Sequence, residues 1–170
     1  MSSLFKNIGL RLLKAYKQTD KSERLTSFKS TQNVGIVYDV DKIRPGFLNR
    51  ISGYFESEGK KVTTLGFVNE KELGKYQPKL REEYFCNSDL NFWRIPKKGV
   101  MENFMSTPFD YLINLDSEGV IELQSISTFS KAKTRIGKYF DDFPFAQDFM
   151  VKSLAETQEE LFNDITKYIK

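Results

Sequence analysis

Val34-Gly35-Ile36-Val37-Tyr38 runs into Asp39 and Asp41, and Phe109-Asp110-Tyr111-Leu112-Ile113-Asn114-Leu115 runs into Asp116. Short β-branched and aromatic runs that stop at a polar residue read as buried strands of an α/β sheet. In such sheets the ligand crevice lies beyond the carboxyl ends of the strands. The two runs are therefore expected to lie side by side, point the same way and bring three carboxylates to one rim.

Working outward, residues 3–17 place Leu4, Phe5, Ile8, Leu12, Leu13 and Tyr16 at helical spacing, with basic residues between them, which predicts an amphipathic helix. The polar stretch 18–32 reads as a linker. Strand 33–38 is followed by a helix from Pro45, a residue suited to a first helical turn, with Gly59 as its stop. Residues 61–68 form the next strand, completing a compact parallel crossover. A short helix is expected at 70–76. Tyr84-Phe85-Cys86 reads as a further strand, 92–95 as a short extended piece, and 99–105 as a helical turn before Pro108. Strand 109–115, a helix through Ile121, Leu123, Ile126 and Phe129, strand 133–139 and a short edge strand 149–151 follow. Ser153-Leu154-Ala155-Glu156 has capping-box spacing, and Leu154, Leu161, Phe162, Ile165 and Ile169 mark the stripe of a final helix.

The 170 residues suffice for one domain with a core, and 39% apolar content with 15 Phe and 8 Tyr argues against disorder. The single cysteine, Cys86, excludes an internal disulfide and a cysteine-based zinc site. The absence of histidine removes the commonest general base and most transition-metal ligand sets. Chemistry here has to use carboxylates, Lys, Tyr, Ser or a hard cation held by oxygen. Gly53, Gly59, Gly66 and Gly74 form no phosphate loop. No stretch approaches the ~20 apolar residues of a spanning helix, and residues 1–8 lack a signal-peptide apolar region, so a cytoplasmic location is expected.

The formal charge of +3 is uneven. Residues 1–30 hold Lys6, Arg11, Lys14, Lys17, Lys21, Arg24 and Lys29 against Asp20 and Glu23, a net +5, and the other 140 residues carry −2. A basic arm on a near-neutral body points to an anionic partner. The first helix has three readings: it docks its apolar face on this domain or on a partner, lies on an anionic membrane, or contacts RNA phosphates. Lys131, Lys133, Arg135 and Lys138 read as the charged protection of an edge strand. Tyr84, Phe85, Phe92 and Trp93 read as core and lid packing, with base stacking as the functional alternative. Cys86 reads as a buried thiol.

Asp39, Asp41 and Asp116 are the strongest chemical group, able to hold Mg²⁺ if they converge. Asp39-Val40-Asp41 resembles the acid pair of haloacid-dehalogenase-type phosphatases, in which the first acid is the nucleophile and the second the acid/base. Lys42-Ile43 stands where that family has Gly-Thr. Response-regulator receivers likewise use strand-end acids with a lysine. The plain alternative is that these acids cap helices and start turns.

Residues 109–116, Phe129-Ser130-Lys131-Ala132-Lys133 and Thr134-Arg135-Ile136-Gly137 resemble part of the N-terminal half of heptosyltransferase-like glycosyltransferases. The whole chain is similar to an uncharacterised bacterial domain-of-unknown-function family with a leading basic helix. The glycosyltransferase resemblance covers about 30 residues and implies a Rossmann-like or flavodoxin-like sheet. It transfers no catalytic residue, since that family's sugar-nucleotide site lies largely in a second domain.

The expectation is thus a three-layer α/β domain over 31–170, with a mainly parallel sheet of about five strands in the order 2-1-3-4-5, preceded by a basic helix and linker over 1–30. The expected role is a non-enzymatic binding or accessory module that engages protein or RNA partly through Lys6, Arg11, Lys14, Lys17, Lys21 and Arg24, without a cofactor. The competing role is a Mg²⁺-dependent phosphoryl- or glycosyl-handling enzyme using Asp39, Asp41 and Asp116.

Overall fold

The computed structural model describes residues 3–16 and 26–169. Six strands form one sheet: β1 (Asn33–Asp39), β2 (Lys61–Val68), β3 (Glu82–Cys86), β4 (Tyr111–Asn114), β5 (Thr134–Lys138) and β6 (Phe149–Val151). Their spatial order is β3-β2-β1-β4-β5-β6, and every pairing is parallel. The sheet has six strands where about five in the order 2-1-3-4-5 were expected, and the strand at 82–86 stands outside β2. β1 and β4 lie side by side in register, with Val34 opposite Tyr111 and Val37 opposite Asn114.

Helices α1 (Ser3–Ala15), α2 (Phe47–Glu56), α3 (Glu102–Ser106), α4 (Ile121–Phe129) and α5 (Gln158–Thr166) complete the fold. Alternation along β1 divides its side chains between two cores. Val34, Ile36 and Tyr38 pack with Phe47, Ile51 and Phe55 of α2 and Leu161, Phe162 and Ile165 of α5. Val37 packs on the opposite face with Phe104 of α3 and Leu123 and Ile126 of α4. Burial on both faces explains the near-continuous apolar runs of the central strands.

α1 lies outside α4. Leu13 is fully buried against a third cluster that includes Ile95, Ile121 and Phe143. A Cβ at Gly9 would sit 2.7 Å from Ile121 Cδ1 and 2.8 Å from the Trp93 carbonyl, so glycine is what allows this close approach. Tyr16 meets Phe129 edge-on at 4.8 Å between ring centroids. α4 is thus covered by the sheet on one side and α1 on the other, which buries even Gln124, Ser125, Ser127 and Thr128.

Several local expectations are corrected. Residues 70–76 form turns, not a helix: Gly74 is left-handed at φ +57°, and the Glu70 and Lys71 carbonyls are taken by Asn87 N–H and Cys86 Sγ. Residues 92–95 are a tight loop, because the Asn91 side chain accepts from the Trp93 and Ile95 amides and Arg94 turns left-handed at φ +65°. The capping box of α5 is Thr157 with Glu160 rather than Ser153 with Glu156. Ser153 instead bonds Asp164 and the Ala155 amide, and Leu154 leaves the apolar stripe at 98% exposure. β5 is an interior strand, so the charged residues on it do not protect an edge: Arg135 is buried and paired with Asp148. Among the described residues, no helix is long and apolar enough to cross a membrane.

Candidate functional site

From β1 the chain steps outward to β2 and β3, and from β4 it steps the other way to β5 and β6. The direction of winding therefore reverses between β1 and β4, the position where open α/β sheets leave a crevice beyond their carboxyl ends. Asp39 and Asp116 both stand there. They line a cavity of about 10 Å³ together with Lys42, Ser117, Glu118 and Gln158. That is close to the ~10–15 Å³ minimum for a single water. Asp41 lies on the exposed turn and does not line it.

Each carboxylate has local partners. Asp116 is 3% exposed. Its Oδ1 accepts from the Glu118 and Gly119 amides, and its Oδ2 from the Val120 amide and Gln124 Nε2, at 2.7–2.9 Å. Val120 is the N-cap of α4 and offers no side-chain cap of its own; Asp116 satisfies the amides of the turn that leads into the helix, Val120 included. Burial pushes the Asp116 carboxyl above its usual pKa, against the pull of Gln124 and the three amides. Asp39, 7% exposed, accepts from the Asp41 amide at 3.0 Å and has Lys42 Nζ at 3.7 Å. Burial raises its pKa too, opposed by the Asp41 amide and Lys42.

Three further contacts close the rim. Lys42 Nζ reaches Glu118 Oε2 at 2.5 Å and joins the β1 turn to the β4 turn. Burial works against the charged form of Lys42, but Glu118, Asp39 and Asp116 outweigh it and raise its pKa. The Gln158 side chain accepts from the Asp39 amide at 3.0 Å and donates to the Asp39 carbonyl at 2.8 Å, continuing the β1 hydrogen-bond ladder into α5. Lys138 Nζ donates to the Ser117 and Ala155 carbonyls. Among the described residues, no group of three or more His, Cys, Asp or Glu side chains is placed to hold a metal ion.

Sequence reasoning missed Gln158 and Gln124, and read Lys138 as edge protection where it joins the Ser117 and Ala155 carbonyls. The one available signal was polar residues at positions where α4 and α5 had to be buried. Of the aromatic group, Phe85 is fully buried and Tyr84 bonds Glu82, whereas Phe92 is 68% exposed at the tip of its loop. Cys86 is a buried free thiol.

In the basic arm, Lys6, Arg11 and Lys14 lie in α1, and Lys17, Lys21 and Arg24 fall outside the described residues. Arg11 and Lys14 are exposed, on the side of α1 away from Leu13, and neither makes an ion pair among the described residues. Leu12 and Tyr16 are about half exposed beside them. Comparison with curated proteins and with solved structures gives no match. A family model does match, over residues 4–170 and thus including α1, and the chain belongs to that family, DUF6913, a family of unknown function.

Proposed function

We propose that this chain is a non-enzymatic binding or accessory module of the cytoplasm that engages an anionic partner, protein or RNA, partly through the basic arm of residues 1–30. Residues 31–170 are the Rossmann-like body that carries the arm. The strand order, that of doubly wound nucleotide-binding sheets, supports the Rossmann-like reading. The filling of the switch-point crevice by Asp39, Lys42, Glu118 and Gln158 supports a role other than nucleotide chemistry there.

The observation that carries the partner reading is the two-sidedness of α1. One side is fixed on α4 through Gly9, Leu13 and Tyr16, and the other turns Arg11 and Lys14 to solvent without acid partners among the described residues. A docked helix with unpaired cations presents a preformed positive surface, which attracts polyanions in a salt-dependent way.

The test is fluorescence anisotropy of the full chain with a labelled single-stranded RNA 20-mer and a labelled polyglutamate peptide, each at several salt concentrations. The double variant Arg11→Glu, Lys14→Glu is compared with wild type. The expected result is binding of one probe that weakens with salt and falls at least tenfold in the variant, while thermal melting is unchanged. Failure of both probes to bind wild type, or equal binding by the variant, overturns the reading.

A further inference from the structure

The sheet has two edge strands, and they are finished differently. β3 is closed by its own chain: the Lys79 and Glu82 backbones exchange hydrogen bonds in both directions, and Asp89 Oδ2 takes the Cys86 amide. β6 has no strand beyond it among the described residues. The Val151 carbonyl accepts from the Tyr139 amide at 3.0 Å, so Val151 turns its backbone inward to β5. Backbone direction alternates along a strand, so the Met150 N–H and C=O point outward. An open edge of this kind is a template for another strand.

The surroundings of β6 are apolar. Phe149 and Met150 are half-buried, and the Phe149 ring centroid lies 6.0 Å from that of Tyr168. Tyr168 and Tyr139 are both exposed. Charges of opposite sign bracket the strand. Asp148 stands just before it, bound to Arg135 and with its side chain 15% exposed. Lys152 stands just after it, exposed, with its Nζ 5.7 Å from the Tyr139 ring centroid and no ion pair among the described residues.

We propose that β6 pairs with the β6 of a second copy of this chain, antiparallel about a two-fold axis at Met150, and joins the two sheets into one. A two-fold contact is self-complementary, so each residue meets its counterpart across the axis. With Met150 opposite Met150, the two outward-facing residues exchange both backbone hydrogen bonds. Phe149 of each copy comes opposite Val151 of the other, an aromatic and β-branched pair on the face that carries α2 and α5. Lys152 comes opposite Asp148, twice by symmetry. Charge selects this register. An axis at Phe149 sets Lys152 opposite Ala146 and Asp148 opposite Met150, and an axis at Val151 sets Lys152 opposite Met150 and Asp148 opposite Leu154, so no charge meets its opposite. Lysine at a sheet edge repels chance partners. Here a second copy brings the aspartate that answers it, so the residue that rejects other strands accepts this one. The Tyr139 and Tyr168 rings beside the strand add the apolar area that three residues of ladder lack.

Sedimentation equilibrium of the full chain from ~1 to ~200 µM reads the association. The expected mass rises with concentration from that of one chain, 19.8 kDa, towards twice that value. Lys152→Glu sets like charges opposite each other at both ends of the ladder and weakens association at least tenfold, while Lys152→Arg keeps it within about threefold. Met150→Pro removes the outward N–H, a change that an edge strand tolerates, and leaves the chain monomeric throughout. Thermal melting of dilute samples confirms that both disruptive variants fold. Met150→Cys places its two Cα atoms ~5.5 Å apart, within disulfide reach. A mild oxidant then links two chains, and peptide mapping finds position 150 joined to itself. A chain that stays monomeric at the highest concentration, or a dimer that a folded Lys152→Glu or Met150→Pro variant retains at wild-type strength, overturns the proposal.

Discussion

Replacing Asp148 with Asn isolates the most buried ion pair among the described residues. Arg135 is 1% exposed in the interior strand β5. Its Nε and Nη2 donate to the two Asp148 oxygens at 2.9 Å each, its backbone amide donates to Asp148 Oδ2 at 2.9 Å, and Nη1 donates to the Ser127 carbonyl at 3.1 Å. An Asn side chain offers one acceptor where three donors converge, and its own N–H₂ faces a donor. The guanidinium stays charged in proteins and has no route to water without opening the sheet. Removing one partner of a buried pair costs about 3–5 kcal/mol, against a domain stability of roughly 5–15 kcal/mol. At ~2–4 °C per kcal/mol for a chain of this size, melting should fall by about 6–20 °C. Arg135→Met with Asp148→Leu removes both charges, leaves the Arg135 backbone amide without its Asp148 acceptor and takes Nη1 from the Ser127 carbonyl, a loss of ~1–3 kcal/mol. The double variant should therefore be more stable than Asp148→Asn. Urea unfolding followed by circular dichroism reads both. A loss below about 1 kcal/mol for Asp148→Asn, or a double variant less stable than the single one, refutes this account of the pair.

Glycine positions separate crowding from chain freedom: a Cβ at Gly35 lies 2.8 Å from both Leu112 and Phe109, whereas one at Gly53, within α2, meets nothing within 4 Å. Gly35→Ala should lose ~1–3 kcal/mol and Gly53→Ala should gain about 0.5–1 kcal/mol, both by urea unfolding. Thr157→Ala should cost ~1 kcal/mol by removing the α5 cap, while Leu154→Ser, at an exposed site, stays within about 0.5 kcal/mol. Asp110 supplies the pH prediction. Burial pushes its carboxyl up, but Lys133 and the Asn33 and Gln32 amides together outweigh burial and hold it below the ordinary range. A lowered folded-state pKa gives stability that is full above the unfolded value of ~3.9 and lost as pH falls through the folded value. Asp110→Asn should therefore be less stable than wild type at pH 7 by ~1 kcal/mol, given the exposed Lys133 partner, with the difference shrinking below about pH 4. A constant difference across that range counts against it.

The sheet was legible because burial on both faces writes itself into composition. β1, β2 and β4 are apolar on successive residues, and only a strand flanked by helices tolerates that. β3 was harder to place, since Glu82 and Glu83 are polar and half-buried at an edge, and its strand character comes from pairing with Thr64 through Val68. The start of α5 was misread because Ser153-x-x-Glu156 and Thr157-x-x-Glu160 carry the same local chemistry. What decides between them is tertiary: Asp164, a turn away on α5, takes the Ser153 hydroxyl.

The rim of the sheet marks where reading from sequence ends. Apolar runs predicted correctly that β1 and β4 would be neighbours, and so that Asp39 and Asp116 would stand at one edge. What each carboxylate faces depends on residues far away in the chain. Gln158 reaches Asp39 from 119 positions on, and Gln124 reaches Asp116 only because α4 folds back over β4. Asp116 spends both oxygens on the three amides of the turn before α4 and on the Gln124 side chain, so its acceptors are engaged before any ligand arrives. The start of α2 is the opposite case: Gly46 has no side chain to cap with, and the Leu48 and Asn49 amides have no acceptor among the described residues.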